Sequence, residues 1–372
     1  MKKIFSLITS LFLLAVLPIG AQSNQPIGTE VITLSHNGQE TNFKYNEIGK
    51  ALEQAADGDT VYFSTGYFQG DIRLLKKVTF IGSGADRYDS NGNYVDNWSN
   101  CTCFDGKVVI ALPEGTQLAS RLFDGIYFNG GNGDNRITFT NSIDNVVFRK
   151  CYWSNSWSID AEIKNLLIDR CSGDLYSLSN VTKIVARNCN ISGISDNSNV
   201  DPNSRHFYHC YISPSIWETS DANDKKYWYC GNFAGIFTNC IISNYTSRWD
   251  NSTQQSTYYA AYLSNPNGSQ ENYPVFINCL YNTQDGVDVA ANCTLQNSYG
   301  YGITNEKRIY DLTKEELQSA GYMGNDNTVV GYYGGKNPYS LRTNLPEVSS
   351  SKVHLDRDAK QLQINIKVSA QQ

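Results

Sequence analysis

No block of basic residues runs through this chain of 372 residues, and its net charge is −6, which argues against nucleic acid as a partner. Beyond the first 21 residues no segment is long and apolar enough to cross a bilayer. Methionine is almost missing, 2 residues against 25 tyrosines, and the bias toward Asn, Gly, Ser and Tyr suits many short strands with few helices. There is no Ser-His-Asp pattern, phosphate-binding loop or dinucleotide fingerprint. The GSGAD at 82–86 reads as a corner, because no helix follows it.

The chain opens MKKIFSLITSLFLLAVLPIGAQS. Lys2 and Lys3 precede an apolar run from Ile4 to Leu17 and a small-residue exit at Ile19-Gly20-Ala21. Residues 1–21 therefore read as a cleavable secretory signal, placing the mature chain in the periplasm, at the cell surface or in the medium.

Ten cysteines are present, and six follow the same word: a short apolar run, two mostly polar residues, then cysteine. IVARNC (184–189), IFTNC (236–240) and VFINC (275–279) are examples. Cys151, Cys171, Cys189, Cys210, Cys240 and Cys279 are 20, 18, 21, 30 and 39 residues apart, one repeating unit with two insertions. The residue before cysteine is Lys150, Arg170, Asn188, His209, Asn239 or Asn278. Asn is the non-glycine residue that best tolerates left-handed backbone, so this position predicts a sharp corner between two strands. A unit of about 20 residues cannot bury its apolar side alone, and the units must stack. Cysteine then becomes one ladder of an internal stack. In-register strands hold equivalent Cβ atoms ~4.8 Å apart, wider than the ~3.8 Å of a bridge, so buried thiols are expected over the rival disulfides. Cys101 and Cys103 fall outside the ladder and could pair elsewhere. Cys293 follows Cys279 too closely to begin a full turn.

Residues 46–84 hold a short helical face (Ile48, Leu52, Ala55, Ala56) with Gly58 as its expected stop, a Val61/Phe63 strand and a corner at Gly66. Asp57-Gly58-Asp59, Gly66-Tyr67-Phe68 and Ile81-Gly82-Ser83-Gly84 resemble the opening of right-handed parallel β-helix proteins of the pectin-lyase-like superfamily. The resemblance, with the ladder, spans roughly residues 40–300. It implies an all-β solenoid whose N-terminal helix covers the open end of the first coil. The β-helix domain is expected over 22–308, with lateral insertions near 214–232 and 244–272. A closing segment follows at 309–372, with a helix in DLTKEELQSAG and a hairpin around DRDAK. That segment reads as a cap on the far end of the coil or as a docking or secretion tail.

The resemblance also raises polysaccharide chemistry. Lyases on this fold need Lys or Arg as a base beside a sugar carboxylate and a cation such as Ca²⁺ to take up enolate charge. The hydrolases' motifs are missing: no histidine stands in Gly-His-Gly, and Asp285 and Asp288 in NTQDGVDV read as corner residues. Lys164, Lys183, Arg149, Arg170 and Arg187 are expected on outward or corner positions.

Both insertions leave the coil after the same strand word, CYIS and CIIS, and must emerge one above the other. They carry Trp217, Tyr227, Trp228, Trp249, Tyr258 and Tyr259, with Tyr262 at the edge. Rings beside polar groups suit sugar recognition, and these are the candidate substrate-binding residues. Catalytic candidates are Lys225, Arg248, Asp221 and Asp224, and Ca²⁺ candidates are Asp221, Asp224 and Asp250. The expectation is a monomeric, secreted or surface protein that binds polysaccharide or cell-surface glycan without catalysis or cofactor. A polysaccharide lyase or related carbohydrate-active enzyme is the alternative.

Overall fold

The computed structural model describes residues 31–342, 347–356 and 361–369, except 89–92, 96–97, 119–121, 130–136, 154–156, 177, 195–200, 221–225, 232–233, 252–253 and 265–269. The secretory signal expected at 1–21 lies outside the described residues. The chain winds as a right-handed parallel β-helix, the hand that parallel crossovers within a sheet adopt. Its walls are sheets of 12, 10 and 4 strands. The 12-stranded sheet begins antiparallel, with Val31–His36 and Gln39–Lys44, and is parallel from Thr60–Phe63 onward. No helix among the described residues is long and apolar enough to cross a membrane.

Matching side chains stack along the axis. Phe80, Phe123, Phe148, Ile168, Ala186, Phe207, Phe237, Phe276 and Leu295 are successive partners in the 12-stranded sheet. The Phe207–Phe237 and Phe237–Phe276 rings stack at 4.6 and 5.0 Å. Each buried ring contributes about 1.5–3 kcal/mol, gained only because the turns repeat in register.

The helix α1 (Ile48–Gln54) buries Ile48 and Ala51 against the opening of the coil. It stops before the expected Gly58, because Ala55 is already extended and Lys76 Nζ takes the free carbonyls of Leu52, Glu53 and Ala55 at 3.2, 3.0 and 2.6 Å.

The corners behave as the sequence predicts. Lys150, Arg170, Asn188, His209, Asn239, Asn278 and Asn297 all have φ between 49 and 57°. The six ladder cysteines are buried and unbridged, as are Cys101 and Cys103, and burial pushes the Cys101 thiol up to about 12. The thiols of Cys171, Cys189, Cys240 and Cys279 also accept a hydrogen bond that a corner would otherwise waste. Cys151 N–H reaches Cys171 Sγ at 3.4 Å, Cys171 N–H reaches Cys189 Sγ at 3.5 Å, and Cys240 N–H reaches Cys279 Sγ at 3.4 Å. The ladder ends on Ser298, whose Oγ takes the Cys279 N–H at 3.0 Å. Cys293, half-buried, is not a rung.

Residues 309–342 of the closing segment pack along the side of the coil rather than capping its end. Helix α2 (Lys314–Ser319), with a Thr313–Glu316 capping box, buries Leu317 in a cluster with Ile241, Leu280 and Tyr301, apolar positions on the outer face of the 10-stranded sheet. Residues 322–342 then run back along the corners as a strap. Asn239 exchanges hydrogen bonds with Asn325, Asn188 Nδ2 donates to Gly334 O at 2.8 Å, and His209 Nε2 lies 2.9 Å from Asp326. Gly334 sits so close that a Cβ there would lie 1.8 Å from Val329 O and 2.6 Å from His209 Nδ1. Ala85 N–H finally donates to Leu341 O at 2.9 Å, tying the strap to an early turn. The strands Glu347–Asp356 and Gln361–Ser369 form the expected antiparallel hairpin.

Candidate functional site

The two insertions are hairpins rather than loops. Ile216–Ser220 pairs with Lys226–Cys230, and Tyr245–Asp250 pairs with Gln255–Ala260. They stand side by side, because Tyr262 N–H donates to Trp228 O at 2.9 Å and Cys230 N–H to Tyr262 O at 2.8 Å.

Residues directly opposite in an antiparallel ladder share a face. In the first hairpin Glu218 pairs with Trp228, and Trp217 with Tyr229. In the second, Thr246 pairs with Tyr259 and Arg248 with Thr257, while Tyr245, Ser247, Trp249, Ser256, Tyr258 and Ala260 share the other face. The inner faces meet: Trp228 and Tyr259 lie 5.8 Å apart, and Arg248 Nη1 reaches Glu218 at 3.3 Å. Arg248, a candidate base from the sequence, is therefore an ion-pair partner between the hairpins.

The remaining rings point away from one another. Trp217, 57 % exposed, lies on the far face of the first hairpin, against Gly231. Trp249 and Tyr258, 54 % and 48 % exposed, lie on the outer face of the second. The five aromatic candidates whose side chains are described, Trp217, Trp228, Trp249, Tyr258 and Tyr259, thus do not form one platform. Tyr227 and Asp250 lie on hairpin strands, but their side chains are outside the described residues, as are Asp221, Asp224 and Lys225 altogether. Among the described residues no three of His, Cys, Asp and Glu converge in a way that could hold a metal ion.

The outer face of the second hairpin continues into a notch that the sequence did not reveal. Tyr258 stacks on Tyr245 at 5.4 Å. Tyr245 in turn lines a small notch with Asn282, Tyr301, Arg308 and Tyr310. The Arg308 guanidinium lies 4.5 Å over the Tyr310 ring, with its Nε on Asp311 at 3.2 Å. Asn282 is fixed through its backbone: its N–H donates to Asn244 Oδ1 at 2.6 Å and its carbonyl accepts from Asn244 Nδ2 at 3.1 Å. Its side-chain oxygen is buried and has no partner among the described residues. Burial pushes the Tyr245 hydroxyl up, and the neighbouring Tyr258 adds to the shift, so the Tyr245 ring stays a neutral, amphipathic surface at ordinary pH. The arrangement offers exposed ring faces beside the Arg308 guanidinium, with the unpartnered Asn282 oxygen buried beneath the notch.

The basic residues flagged along the coil do not form a stripe. Asp124, Arg149, Asp169 and Arg187 are successive partners of alternating sign, with Arg149 Nε on Asp124 at 3.0 Å, and Arg170 pairs with Asp169 at 2.7 Å. Lys164 pairs with Asp144 at 2.6 Å. Lys183, exposed, is aligned with Asn165.

No protein-family model matches the chain, and no curated protein matches it. Among solved structures it is similar to a pectin methylesterase mutant in complex with a hexasaccharide. Identity is 11 %, the match covers 72 % of this chain and 91 % of that one, and the TM-score is 0.23. A likeness at that score carries no argument about function. The parallel coil stands on the strand register itself.

Proposed function

We propose that this is a secreted or cell-surface β-helix protein of pectin-lyase-like type that binds polysaccharide without turning it over, acting as a monomer and needing no cofactor. The observation that supports it is the outer face of the second hairpin. Trp249 and Tyr258 leave about half their surface in water, and the tyrosine row beside them leads to Arg308 and the unused oxygen of Asn282. A pyranose presents an apolar ring face and a rim of hydroxyls, and this surface matches both. Trp217 gives the first hairpin a separate, smaller contact.

Affinity electrophoresis against acidic and neutral polysaccharides tests the reading, run with and without Ca²⁺ alongside absorbance for unsaturated uronates and an assay for reducing ends. Retardation by at least one polymer is expected, with Trp249→Ala weakening it about tenfold and Trp217→Ala less. New unsaturated or reducing ends from any polymer would instead establish the lyase or hydrolase alternative.

A further inference from the structure

A second concave site lies on the outer face of the 10-stranded sheet, between residues 85–88 with Tyr94 and the end of the strap. Its volume is about 470 Å³, in the range of ligand pockets. Tyr127 and Tyr152, partners on adjacent turns, stack at 4.4 Å and form one end of its floor. The next two turns carry Ser172 and Asn190 at the same position, followed by Tyr211. Two small polar residues between tyrosines make the depression. Tyr88 and Tyr94, in edge contact at 5.8 Å and each about half exposed, form one wall, and Tyr339 and Arg342 the other.

Around the groove one charge pair is matched and the remaining cation is stacked on rings. Arg342 Nε pairs with Asp86 at 3.1 Å and its Nη2 holds Tyr88 O at 3.2 Å. Arg87 lies 3.6 Å over the Trp98 ring and 4.3 Å over Tyr94. A neutral ligand leaves all of these arrangements standing. The surface it meets is ring faces with hydroxyl tips over a serine and an amide.

We propose that this groove is a second binding site, for a short run of neutral sugar residues. It shares no lining residue with the hairpin surface and is independent of it. Half of its walls come from the strap, so the segment that ties the turns together also shapes the site.

Isothermal titration with hexamers of neutral β-linked glucose, xylose and mannose, and with the galacturonate hexamer, tests this. The expected result is that one neutral hexamer occupies the groove. The Tyr88→Ala/Tyr94→Ala double variant, at exposed positions, should then weaken that site about tenfold or abolish it, while Trp249→Ala leaves it intact. The proposal is overturned if the double variant binds as the native protein does, if no neutral hexamer binds, or if galacturonate is preferred at this site. Loss of all binding on Trp249→Ala alone would overturn it while leaving the hairpin reading in place.

Discussion

At a left-handed corner the N–H of the following residue cannot find a partner within its own turn, and in this coil it points at the side chain of the next turn. A thiol is small enough for the corner and still accepts weakly, and Ser298 shows that an oxygen can take the same place. Removing the acceptor is therefore expected to cost more than removing the volume. Cys189→Ala should lose about 1–3 kcal/mol in urea unfolding, because the buried Cys171 N–H is orphaned. Cys189→Ser should lose less, and equal losses for the two variants would argue against the hydrogen-bonding role. The cysteine ladder and the left-handed corners are legible in the sequence, since both are local patterns repeated at a fixed interval. The acceptor role is not, because donor and acceptor sit on different turns. Lys150 is the exception among the corners. It is 3 % exposed, and burial, followed by the neighbouring Arg170 and Arg149, lowers its ammonium to about 8. The unfolded chain then binds more protons between about 8 and the ordinary 10.5, so stability should rise with pH across that window, by up to ~3 kcal/mol. Below pH 8 the destabilisation is present in full. Lys150→Asn, which copies the residue at Asn188, Asn239 and Asn278, should stabilise most at pH 7 and by progressively less toward pH 10.5. Parallel pH curves for native and variant protein would refute this.

Among the elements, the insertions take the form of hairpins over 216–230 and 245–260, which the sequence anticipates only in part. Their aromatic density suggested one sugar-binding surface, whereas pairing sends neighbouring residues to opposite faces. Trp228 and Tyr259 close the gap between the hairpins, and Trp217 and Trp249 end on separate sides. The alternation could have been read from Tyr245 to Asp250. The partners Asn282, Arg308 and Tyr310 could not, because they arrive from other turns and from the segment that follows the coil. The closing segment was expected as an end cap because a solenoid needs its edges covered. The apolar residues Tyr211, Ile241, Leu280 and Tyr299 instead give it a lateral surface on the outside of the coil, and the corner amides give it hydrogen bonds.

For the whole molecule, stacked turns touch only their neighbours, so stability builds along one axis and the strap is the main departure from that rule. It joins Asn239, His209 and Asn188 to Ala85 across turns that otherwise never meet. A coil of this kind displays its side walls to any long polymer lying against it, and two places along it here carry rings beside polar groups. Tryptophan emission reads the central claim most directly. Trp98, Trp153 and Trp157 are buried and Trp228 is partly buried, so Trp217 and Trp249 report on the solvent. Titration with a polysaccharide that retards the protein should shift the emission to the blue and saturate, and most of the change should vanish in Trp249→Phe. Emission that stays unchanged at saturating polymer, or a full response in Trp249→Phe, would contradict the account.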